Sequence, residues 1–128
     1  MRGILVIMKF FDRLFGRTPS PELAKLPAED VPTLEVARLA VRLAQDLLIV
    51  TVAPAAAGPL ADAARTTRPL RLTSGEARPV TFVPVRTPTR PVLDPRLGWI
   101  IPLVDGLAGV ASEPGDYEIT EWLAVVVE

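Results

Sequence analysis

Residues 31–52 read VPTLEVARLAVRLAQDLLIVTV, and how this run divides into elements decides the fold. Val36, Leu39, Ala40, Leu43 and Leu47 recur at the three- and four-residue spacing of one helical face, with Arg38, Arg42, Gln45 and Asp46 turned elsewhere. Asp30 or Thr33 supplies an N-cap and Glu35 an acid in the first turn, so the spacing predicts an amphipathic helix over 31–47. At Leu48 the pattern changes. Leu48-Ile49-Val50-Thr51-Val52 is β-branched and apolar on both faces, which reads as a buried strand. The expectation is an α+β fold, with one amphipathic helix packed on a small, mostly antiparallel β-sheet that ends in a C-terminal β-meander.

Towards the C-terminus, Pro54 ends the strand, and Gly58-Pro59 opens a short helical turn through Arg65. Residues 70–73 and 79–86 flank Ser74-Gly75-Glu76-Ala77 as the arms of a hairpin. Pro84 has no N–H for a ladder, which assigns the second arm to a sheet edge. Pro88, Pro91 and Pro95 describe a stiff, extended connector. Residues 98–104 then form a strand, Asp105-Gly106 a two-residue hairpin turn, and 107–112 a returning strand. After a turn at 113–116, residues 117–127 form one long closing strand. On it Tyr117, Ile119, Leu123, Val125 and Val127 share one face, while Trp122, Ala124 and Val126 share the other with Glu118 and Thr120. The expected core comprises Val36, Leu39, Leu43, Leu47, Ile49, Val50, Leu72, Phe82, Ile101, Leu103, Val110, Ile119, Leu123 and Val125.

Towards the N-terminus, Ser20-Pro21-Glu22 reads as a helix start that Pro27 soon stops. Before it, GILVIMKFFDRLFGR places Ile4, Ile7, Met8, Phe11, Leu14 and Phe15 at helical spacing, and Met8 offers a second start point. The chain thus divides into an amphipathic segment, 1–17, and a single α+β domain, 18–128. Phe10, Phe11, Leu14 and Phe15 are the candidate residues for docking to a membrane surface or a partner groove. The run MKFFDRLFGR resembles the amphipathic starts of some bacterial peripheral membrane proteins, including cell-division regulators of the MinE type. That resemblance implies contact with a membrane surface.

Composition narrows the chemistry. The chain has no histidine, cysteine or asparagine, three serines and one glutamine. Histidine is the usual general base near neutral pH, and with cysteine it supplies most zinc and transition-metal ligands. Without either, and without a glycine-rich phosphate motif, no catalytic constellation assembles, so the expectation is no enzyme, no cofactor, no metal and no small-molecule substrate. Arginine outnumbers lysine twelve to two, which fits a GC-rich genome, and 14 prolines with few amides fit a thermophilic origin. No stretch reaches the roughly 18 apolar residues that span a bilayer. A cytoplasmic or virion-associated protein is expected.

A net charge of −1 hides strong polarity. Residues 1–17 carry +3, 18–64 −3, 65–96 +5 and 97–128 −6. Opposed patches of this kind set register between copies or partners. The leading expectation is a non-enzymatic structural or interaction subunit of a larger, virion-like or otherwise symmetric assembly, with self-association or protein partners. Its interface residues would be Trp122, Val126, Arg71, Arg78 and Arg86. Two alternatives stand beside it. One is a membrane-associated adaptor using the N-terminal segment. The other is a nucleic-acid binder whose arginine-rich hairpin neutralises phosphates.

Overall fold

A computed structural model describes residues 31–75 and 77–128, and the opening run proves to be strands rather than helix. It contains β1 (Thr33–Glu35), β2 (Leu39–Ala44) and β3 (Leu47–Val52). β2 and β3 pair antiparallel from Leu39↔Val52 to Ala44↔Leu47, which leaves Gln45 and Asp46 as a two-residue loop. The residues that make a helical stripe also alternate. Leu39 and Val41 pack on the core, while Ala40, Arg42 and Ala44 are exposed. Burial against a second sheet decided between the two periods, since most of a helix's stability in a protein comes from packing its apolar face rather than from propensity.

The α+β class holds, and among the described residues the helix is a different segment: α1 (Ala57–Thr66), where a helical turn opening at Gly58-Pro59 was expected. Ala57, Leu60, Ala61, Ala63 and Ala64 form its buried face, small enough to bring the helix close to the core. The remaining strands are β4 (Leu70–Thr73), β5 (Val80–Pro84), β6 (Val92–Asp94), β7 (Gly98–Leu103), β8 (Gly115–Thr120) and β9 (Leu123–Val127). They form two mixed sheets, β1-β4-β5-β7-β6 and β2-β3-β9-β8, with parallel pairs β1–β4, β5–β7 and β3–β9. The inner face of the four-stranded sheet supplies Leu48, Val50, Val52, Leu123, Val125 and Val127. That of the five-stranded sheet supplies Leu70, Leu72, Val80, Phe82, Ile101 and Leu103. Each large side chain buried here contributes roughly 1.5–3 kcal/mol by leaving water.

Four further expectations change. The strand holding Pro84 is the centre of its sheet. Pairing with β4 ends at Phe82, so no ladder bond is asked of the proline. Asp105-Gly106 opens a 3-10 turn, Asp105–Gly109, that buries Leu107 beside α1, so 98–112 is no hairpin. The proline-rich connector includes β6, and Asp94 Oδ1 accepts the N–H groups of Arg96 and Leu97 at 2.8 and 2.9 Å to turn the chain into β7. The expected closing strand is the β8–β9 hairpin, broken at Glu121-Trp122, where Thr120 Oγ1 accepts the Trp122 N–H at 3.1 Å. Of the expected core, Leu43 lies 47% exposed, and Leu47, Ile49 and Ile119 are only partly buried. Residues 1–17, with Phe10, Phe11, Leu14 and Phe15, and the helix expected after Ser20 lie outside the described residues.

Candidate interaction surface

The outer face of the four-stranded sheet forms an open groove of about 440 Å³. Strand alternation decides what stands on it. With Leu48, Val50 and Val52 turned inward, β3 presents Leu47, Ile49 and Thr51 outward. With Leu123, Val125 and Val127 inward, β9 presents Ala124 and Val126. The two edge strands add charge: Arg42 on β2, Asp116 and Glu118 on β8. The groove floor is therefore aliphatic, with a cation on one rim and two carboxylates on the other.

Glu128 also lines the groove, and its Oε2 lies 3.4 Å from Arg38 Nη1 in a solvent-exposed pair. Such a pair contributes at most about 1 kcal/mol. Arg42, Asp116 and Glu118 have no ion-pair partner among the described residues. Nor, among the described residues, do three acidic side chains converge there in a way that could hold a metal ion. The chemistry on offer is apolar contact and charge recognition. No helix among the described residues is long and apolar enough to cross a membrane.

The sequence-derived interface residues are dispersed. Val126 lines the groove. Trp122 sits half-buried in the β8–β9 turn, with the Arg90 guanidinium 5.6 Å from its ring centroid, and its carbonyl accepts the Leu48 N–H at 2.8 Å. Arg71 belongs to the other sheet, where its Nε donates to the buried Thr81 Oγ1 at 2.9 Å. Arg78 precedes β5 and lines a smaller cleft of about 270 Å³ with Leu39, Ala40, Val41, Ala77 and Trp99. Arg86 is exposed in the bend after β5. Residues 79–86 are therefore not the arginine-rich edge that the sequence suggested.

Sequence reasoning turned Arg42 outward but set it on a helix, and it missed Ile49 and Thr51 as surface-forming residues. Reading 31–47 as helix gave Arg42 no sheet neighbour, and an all-apolar β3 looked buried on both faces. The available signal was the alternation Leu39, Val41, Leu43 against Ala40, Arg42, Ala44.

No family model matches the chain, and no curated protein matches it. Among solved structures, Suppressor of Fused from Drosophila is similar at a TM-score of 0.42 and 17% sequence identity, covering 88% of this chain. The matched part is 32% of that longer protein.

Proposed function

We propose that the chain is a non-enzymatic interaction subunit whose working surface is the outer face of the four-stranded sheet. One observation carries this reading: Leu47, Ile49 and Val126 stand partly exposed on a groove whose rims hold charges without partners among the described residues. An apolar centre with a charged rim is the usual anatomy of a protein-binding surface. Phosphate tracking draws less support, because Arg71 lies within β4 while Arg78 and Arg86 lie beyond opposite ends of β5. The proposed setting, an assembly in the cytoplasm or a virion, rests on sequence alone.

The test is the mass of the chain's complex in an extract of its native cells, for wild type and for Val126→Asp. Wild type is expected to run well above its own 13.8 kDa. The variant, with an unchanged circular dichroism spectrum, is expected to fall to that mass. A wild-type chain at monomer mass, or a variant that stays in the complex, would falsify the reading.

A further inference from the structure

We infer that the partner on this face is a second copy of the chain, packed face to face about a two-fold axis parallel to the strands. The inference rests on the proposal that this face is the working surface. Strand pairing sets the face out in rows. Arg42 lies beside Ile49, Ile49 beside Ala124, and Ala124 beside Glu118, so one row runs from a cation on β2 to an acid on β8. The adjacent row is Ala40, Thr51, Val126 and Asp116.

The first row complements its own reverse. It has opposite charges at its ends, with a large and a small apolar side chain between them. An axis running above the sheet between β3 and β9 reverses each row and keeps its level along the strands. Arg42 then meets the partner's Glu118, and Ile49 meets the partner's Ala124. Both contacts occur twice, as a two-fold requires. The partner's Asp116, one row along, sets a second carboxylate beside the same guanidinium. Packed sheets lie about 10 Å apart and cross at roughly 30°, a divergence that the long arginine side chain spans at the rim.

Arg42 and Glu118 cannot satisfy each other within one copy, because three strand spacings separate them by about 14 Å. An unrelated partner would need only to complement the face. It would not need the face to be complementary to itself.

Size sets the strength. Four strands of five or six residues span about 19 by 20 Å, or roughly 400 Å² per copy, half of a standard interface. A weak, salt-sensitive dimer in the micromolar range follows. Sedimentation of the full chain from about 1 to 500 μM reads it directly. Arg42→Glu and Glu118→Arg are each expected to weaken pairing about tenfold, and 0.5 M salt to weaken wild type. An equimolar mixture of the two variants is expected to recover to within about threefold of wild type, because the mixed pair again opposes acid and base at both ends. Folding defects in the single variants would not produce that rescue. A monomeric wild type at the highest concentration, or a mixture no better than its components, overturns the inference. If the native complex still depends on Val126, that failure leaves the interaction surface standing with another partner. If no native complex exists either, both readings fall.

Discussion

At Gly98 the backbone takes a φ of 85°, and a Cβ built there would press into the Pro79 carbonyl oxygen and stand 2.9 Å from Arg78 Cγ. The same carbonyl accepts the Trp99 N–H at 3.0 Å, so it cannot move aside without loosening the junction of β5 and β7. Gly98→Ala combines left-handed strain with a backbone clash, and is expected to destabilise the fold by more than about 1 kcal/mol. Thermal unfolding by circular dichroism should show a midpoint lowered by roughly 4 °C or more, and an unchanged midpoint would contradict the packing described. Little of this was visible in the sequence, where Gly98 reads only as the start of a strand. Its constraint comes from residue 79, which becomes a neighbour only once β5 and β7 pair in parallel. Val126 was legible as a surface residue because alternation along the last strand survives the break at Trp122. Ile49 was not, since an apolar run says nothing about which alternate face is left open.

The β2–β3 hairpin is the element on which sequence and structure differ most. Ala, Leu, Arg and Gln favour helices, and the run contains no Asn-Gly or Asp-Gly to announce a turn. The turn is made instead by Gln45 at a φ of 58°, a conformation that costs a residue with a side chain roughly 1–2 kcal/mol. Gln45→Gly removes that strain and should stabilise the protein by about 0.5–1 kcal/mol after glycine's entropy loss is counted. Within a helix the same substitution would destabilise by about 1 kcal/mol, so the sign of the change in urea midpoint separates the two structures. The strand at 48–52 and the arms around Gly75 were readable because β-branched residues and turn residues agree there. Pro84 misled because a proline is excluded by the bonds a position must make. At Pro84 the neighbouring β4 has already ended.

Over the whole molecule, the sequence carried the α+β class and the polarised charge, while the division into two sheets depended on pairings between distant segments. The −6 charge of 97–128 illustrates the limit: its acids divide between the β8 rim, the turns and the groove end at Glu128, and no count along the chain assigns them. If two copies pair as inferred, folding and association are linked. The thermal midpoint should then rise by about 3 °C or more over a hundredfold increase in concentration, and a flat profile in scanning calorimetry would speak against the pair. The parallel β3–β9 ladder has a consequence for synthesis. Val50 waits for Val125, a partner 75 positions further along the message. At about 5–20 residues per second the ribosome takes roughly 4–15 s to deliver it. Throughout that interval β3 emerges with β2 on one side and a bare hydrogen-bonding edge on the other, where β9 will later insert. The nascent chain is therefore most open to mispairing in the middle of its own translation, and rare codons between residues 53 and 122 would lengthen the exposure.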